Sequence, residues 1–223
     1  MKKTKDKRKT KLPGAKREVS PLYAKLLSFE PRRRDMRRAL IVEAAIECIG
    51  KLGVEDTHFE SIGQRSGMGR AHVKYYFKDR DEIVKAAIEF VATTAQMITL
   101  ECISRANSPK ERLQAFVEGA FRWVESYPEH LPVMGLNYYY CMYRPDYQKL
   151  HSQIRSLGEE RARSLLGELL PKVSSEHRNR AAKAIQNLIL GNLLDWSTTK
   201  SSVKLSALLD STQEAVDDYI KGL

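Results

Sequence analysis

The stretch AAIECIGKLGVEDTHFESIGQRSGMGRAHVKYYFKDRDEIVKAAI, residues 44–88, decides the fold. Leading into it, Leu40, Ile41, Ala44, Ala45, Cys48, Ile49 and Leu52 recur at the 3.6-residue period of one helix face. Gly53 then supplies a C-terminal stop. Thr57, with Glu60 three residues on, reads as a capping box that opens a short helix ending near Gly67. A second short helix is expected from about Arg70 to Tyr76. Asp79 or Arg80 starts a longer one carrying Ile83, Val84, Ala87, Phe90, Val91 and Ala95. Two short helices flanking the turn Ser66-Gly67-Met68-Gly69 make a helix-turn-helix.

The same grammar continues outward. Ser108-Pro109-Lys110-Glu111 is a capping box with proline in the first turn, and it opens a helix through about Ser126. Pro128, Pro132, Pro145 and Pro171 punctuate further helical stretches, the last two spanning about 175–199 and 204–221. No run alternates strictly and no Asn-Gly or Asp-Gly turn appears. The expected fold is all-α, with about nine helices. Upstream, residues 1–17 are a Lys-rich tract with almost nothing apolar to bury, so disorder is expected. Ser20-Pro21 and the i, i+4 pairs of Leu22/Leu26 and Tyr23/Leu27 suggest a short helix at 21–29.

The chain has 223 residues and a formal net charge of +10. Residues 1–38 hold 15 Lys+Arg against 4 Asp+Glu, a balance of +11, so the remainder sums to −1. The basic excess belongs to the N-terminal segment. Within the body, Arg65, Arg70, Lys74, Lys78 and Arg80 stand against Asp79 alone between residues 65 and 80.

These residues resemble the DNA-binding domain of the TetR (tetracycline-repressor) family. The resemblance rests on Gly53, on Thr57 as cap, on Phe59 and Ile62 as a buried pair, on Gly67 in the turn, and above all on Tyr76-Phe77-Lys78-Asp79-Arg80 followed by an acid and an aliphatic pair. It covers about 50 residues; residues 89–223 match the family only in being helical and of suitable length. Three positions depart from the family pattern. Gly69 stands where serine is usual, though glycine is an acceptable cap. Gly63 stands where alanine is common, at a cost of roughly 0.5–1 kcal/mol in a helix. Lys74 stands where tyrosine is frequent, so no operator sequence can be carried over.

The resemblance implies that the second short helix enters the major groove. Arg70, His72 and Lys74 are then the candidate base readers. Tyr75, Tyr76, Lys78 and Arg80 are candidate phosphate contacts, and Thr57 is a further one through its hydroxyl or the helix N-terminus. Val73 and Phe77 should point inward. Arg33, Arg34, Arg37 and Arg38 precede the motif, where a basic arm could track phosphate or enter a minor groove; a solubilising tail and an internal docking segment are the alternatives.

The resemblance also implies a C-terminal domain that binds a small ligand and dimerises. The expected division is an arm over 1–34, a DNA-binding domain over 35–80, and a ligand-binding and dimerisation domain over 81–223. Trp123, Tyr127, Met134, Tyr138, Tyr139 and Met142 are candidates to line a pocket for a small apolar or aromatic ligand, against the alternative of an ordinary aromatic core. Ile185, Leu188, Ile189, Asn192 and Trp196 on one long helix, with Leu209 and Val216 on the last, are candidates for the interface of a homodimer. Such stripes can equally face the monomer core.

Other classes find little support. No apolar run approaches the roughly 20 residues of a membrane span; the richest, Ala184–Leu194, is broken by Gln186, Asn187 and Asn192. Cys48, Cys102 and Cys141 are neither a disulfide framework nor a metal clip, so no metal and no cofactor is expected. There is no GxSxG, P-loop, GxGxxG or HExxH, which argues against an enzyme. The expectation is a ligand-responsive dimeric regulator, most often a repressor in such a family, bound to a pseudo-palindromic double-stranded DNA operator in a bacterial cytoplasm. The competing reading is a low-specificity, nucleoid-associated architectural protein without a ligand.

Overall fold

The computed structural model describes residues 33–199 and 203–223. Among these residues there are nine helices and no strand. In chain order they are α1 (Arg33–Leu52), α2 (Phe59–Ser66), α3 (Arg70–Tyr76), α4 (Arg80–Ser104), α5 (Pro109–Ser126), α6 (His130–Cys141), α7 (Pro145–Leu169), α8 (Ser175–Thr199) and α9 (Leu205–Lys221). The helix expected at 21–29 and the tract at 1–17 lie outside the described residues.

The local signals act largely as the spacing implies. Asp79 caps α4, its carboxylate accepting from the Glu82 amide at 2.8 Å. Ser108 and Glu111 close a reciprocal capping box at the start of α5. Gly53 and Gly67 adopt left-handed φ values of 80° and 72°, which end α1 and α2 without the Cβ penalty another residue would meet. One expected cap is different. Helix α2 begins after His58, whose amide donates to the Ser61 hydroxyl at 2.9 Å. Thr57 is buried, and its own hydroxyl donates to the Gly53 carbonyl at 2.7 Å. Its side chain is spent on tightening the α1–α2 turn and faces neither the helix end nor solvent.

Helices α1, α2 and α3 pack on one another through Ile41, Ala45, Ile62, Val73 and Phe77, all buried. Gly63 is needed there: a Cβ on it would stand 2.8 Å from the Met68 carbonyl oxygen, so glycine lets the turn before α3 lie against α2. Helix α1 also packs on α4 and α6, and α4 packs along α5, so one apolar core runs from Ile41 through Val216.

Helix α4 corrects the expectation about the most apolar segment. It is the one helix among the described residues long and apolar enough, by length and composition, to cross a membrane, with a mean hydropathy of 1.4 over 18 residues. Ile83, Val84, Ala87, Ile88, Phe90 and Val91 are instead buried against neighbouring helices. A core helix sheltered on several sides is apolar for that reason.

Candidate nucleic-acid interface and buried cavity

Helix α3 has seven residues and a simple division of labour. Val73 is fully buried and Phe77, just beyond the helix, is 1% exposed. Arg70, His72, Lys74 and Tyr75 project outward, Tyr75 with 72% of its surface free. The helix is thus anchored by two apolar side chains and offers four polar ones. Tyr75 and Tyr76 meet edge to face at 5.1 Å, and the Lys74 ammonium lies 5.8 Å from the Phe59 ring. Lys78 and Arg80 are exposed beside this face, and Arg80 donates to the Val54 carbonyl at 3.1 Å. Tyr76 is half-buried and packs on the core, leaving it less available to a phosphate than its neighbours.

Two cations near this surface serve elsewhere. Arg65 is paired with the buried carboxylate of Glu47 on α1. Arg38 is not part of a free arm. Its guanidinium lies 4.0 Å over the Phe77 ring, donates to the Tyr76 carbonyl at 2.9 Å, and pairs with Glu82 at 3.1 Å. It ties α1 to the end of α3 and the start of α4. Its signal was present in the sequence: Arg38, Ile41, Ala45 and Cys48 share a helix face, so the arginine stands in the apolar register. Arg33 and Arg34 are exposed in the first turn of α1, and Arg37 is half-buried.

The body holds a partly open cavity of about 150 Å³ between α4, α5, α6, α7 and α8. Trp123, Met134 and Tyr138 line it, as the aromatic clustering implied. The other three candidates do not. Tyr127 stacks on His130 at 4.9 Å, and Tyr139 and Met142 are exposed, Met142 by 77%. Of the aromatic and methionine residues between 123 and 147, Trp123 on α5 and Met134 and Tyr138 on α6 reach the cavity, while Tyr147 on α7 is buried away from it. Spacing did not mark the polar lining, because it comes from helices far apart in sequence: Gln96, His151, Arg155, Arg161 and Gln186. Burial lowers the pKa of His151, with Arg155 adding to the effect, so its imidazole favours the neutral form.

Trp123 is held in turn by His130. The indole N–H donates to His130 Nδ1 at 3.0 Å in a buried setting, and burial pulls the His130 pKa down to about 4.

A further cluster connects the cavity walls with the head. Arg144, in the turn between α6 and α7, donates to both carboxylate oxygens of Asp81 in the first turn of α4, at 2.5 and 3.0 Å. The Tyr147 hydroxyl donates to Asp81 at 2.9 Å, and Lys85 approaches it at 3.0 Å. Burial alone would raise Asp81, but Arg144, Lys85 and Tyr147 outweigh it and hold the carboxyl at about 2. Helix α4 therefore begins in a charged clasp and lines the cavity further along.

The candidate dimer residues separate in the same way. Ile185, Ile189 and Val216 are buried in the monomer core, and Ile189 also lines the cavity, so these three serve the monomer and offer no surface to a second copy. Leu188, Asn192, Trp196 and Leu209 are half-buried. The Asn192 amide donates to Thr212 and the Trp196 indole to the Val203 carbonyl, within the chain. Among the described residues no cluster of three His, Cys, Asp or Glu suited to a metal occurs.

Residues 41–87 match the family model described as bacterial regulatory proteins, tetR family. The HTH-type transcriptional regulator BetI of Proteus mirabilis is 23% identical over 188 residues, covering 82% of this chain and 92% of that protein. BetI of Serratia proteamaculans is 28% identical over 89 residues, covering 39% of this chain and 44% of that protein. Among solved structures, a transcriptional regulator from Rhodococcus sp. Rha1 superposes with a TM-score of 0.73 at 14% identity, covering 83% of this chain and 96% of that chain. A TetR transcription regulator from Haloarcula marismortui gives 0.72 at 13%, covering 84% and 97%. The structural likenesses establish the fold, and the family match places a tetR-family DNA-binding domain at residues 41–87, on the helices that carry α3.

Proposed function

We propose that this chain is a ligand-responsive, dimeric repressor that binds a pseudo-palindromic operator. The observation that carries this reading is the face of α3, where Arg70, His72, Lys74 and Tyr75 are exposed above buried Val73 and Phe77. Arg70, His72 and Lys74 read base edges; Tyr75, Lys78 and Arg80 hold phosphates, aided by Arg33, Arg34 and Arg37. Tyr76 adds at most its ring edge. Residues 35–80 act as the DNA-binding domain and 81–223 as the ligand-binding and dimerisation domain, in a bacterial cytoplasm. Half-buried apolar side chains on α8 and α9, Leu188, Trp196, Leu208 and Leu209, form the pairing surface with a second copy.

A ligand in the cavity favours one arrangement of α4 over another. The Asp81–Arg144 clasp passes that difference to the head, changing the spacing of the two recognition helices. The experiment is the ratio of affinities for a selected site and for random DNA at physiological salt. A repressor of this kind should show a ratio of about 10³ or more. A ratio near one would replace this reading with that of an architectural protein.

A further inference from the structure

The cavity has an electrostatic asymmetry that its size makes consequential. Its lining is mostly apolar and includes no Asp or Glu. Two guanidinium groups face it from α7, and they differ in how they are satisfied. Arg155 pairs with Glu159 at 3.5 Å and donates to Asn187 at 2.8 Å. Arg161 has no ion-pair partner among the described residues, and its hydrogen bond to the Gln96 amide oxygen is long, at 3.4 Å. Burial depresses the Arg161 pKa, yet a guanidinium stays charged at any physiological pH. A partly buried cation without a carboxylate is costly, and a planar carboxylate offered to it would offset that cost through two parallel hydrogen bonds. Gly158, one turn before Arg161, leaves room for Gln186, since a Cβ there would lie 1.9 Å from the Gln186 amide nitrogen, and that amide is a further polar group at the cavity wall.

We propose that the cavity takes a small monocarboxylate, its carboxylate on Arg161 and its aromatic or short aliphatic body among Phe116, Trp123, Met134 and Leu193. The inference rests on the reading of this cavity as the effector site. A volume of about 150 Å³ is that of a cavity that accepts one benzene ring, so a body of about six or seven carbons fits it. A cation is disfavoured twice, by the two arginines and by the absence of an acidic liner.

The test uses three compounds of one shape and different charge: benzoate, benzamide and benzamidinium. Each is titrated calorimetrically into the full chain, its Arg161→Gln variant and its Arg161→Lys variant, with thermal unfolding of each free protein as the check on folding. The wild type should bind benzoate at least tenfold more tightly than benzamide, and benzamidinium most weakly. Arg161→Gln should erase the difference between benzoate and benzamide, and Arg161→Lys should restore part of it. Equal binding of benzamide or benzamidinium, no binding of any of the three, or an unchanged preference in Arg161→Gln would overturn the assignment. The wider reading fails separately: if benzoate binds with the stated preference but leaves DNA affinity unaltered, the carboxylate site stands and ligand response through this cavity does not.

Discussion

The head and the body of this molecule solve opposite problems. In α3 and the residue just after it, Val73 and Phe77 are given to the core, and the side chains left outside are the ones available to DNA. In the body, the residues available to a ligand are themselves core residues, and Trp123, Met134 and Ile189 serve packing and cavity at once. A surface site is what the core does not use, and periodicity separates the two. An internal site is made of the same residue types as the core around it, and only the assembled helices show where a void is left.

The strongest way to break this contrast is to remove the anchor of the head. Phe77→Ala deletes a ring that is 1% exposed and carries the Arg38 guanidinium on its face. It should cost about 3–5 kcal/mol in denaturant unfolding; a loss under about 1 kcal/mol would mean that α3 is not held from below.

The body offers a test through pH. His130 has a folded pKa near 4 against an ordinary 6.5, because burial opposes its charged form. The unfolded chain therefore takes up the proton first. The contribution of neutral His130 is complete above pH 6.5 and is lost as pH falls to about 4, by about 3 kcal/mol over the whole window. Unfolding midpoints at pH 7 and pH 5 should diverge in the wild type and converge in His130→Phe. The Asp81 carboxyl, held at about 2, adds stability that is present above the unfolded carboxylate range and fades as pH falls below about 4 toward 2.

Lys74→Ala probes the other half of the contrast. It should lower operator affinity by about 1–3 kcal/mol, roughly 5- to 150-fold, with no change in thermal stability. Full retained affinity would remove α3 from the base-reading role. The smallest effect concerns the basic N-terminal run. A chain starting at residue 35 lacks Arg33 and Arg34, which are exposed at the start of α1. Together with the other 11 Lys+Arg of residues 1–34 they are removed, and the salt dependence of its DNA affinity should become shallower by about 0.9 for each phosphate that segment neutralises. An unchanged slope would leave that segment without a place on DNA.

The head was legible because its signals are local: Gly67, the Asp79 cap and the inward pair Val73 and Phe77 are fixed within a few residues of one another. What escaped there was tertiary. Arg38 looked like one more cation of a basic run, and Arg65 like one of the five cations between residues 65 and 80, until Phe77 and Glu47 came within reach across helices. Thr57 looked like a cap because Glu60 follows it at capping-box spacing; the close α1–α2 turn took its hydroxyl instead. In the body, the apolar stripe of α8 could face core or partner, and Ile185 and Ile189 went to the core. Arg161, Gln96 and Gln186 lie on three helices, and no spacing along the chain brings them together.

Selection of bound sequences from a random double-stranded pool by the full chain tests the central claim most directly. A dimer that reads DNA through α3 should enrich a pseudo-palindrome whose half-sites are one helical turn apart, about 10–10.5 base pairs, or a multiple of that. A pool that stays random, or one that converges on a single unrepeated half-site, would contradict it.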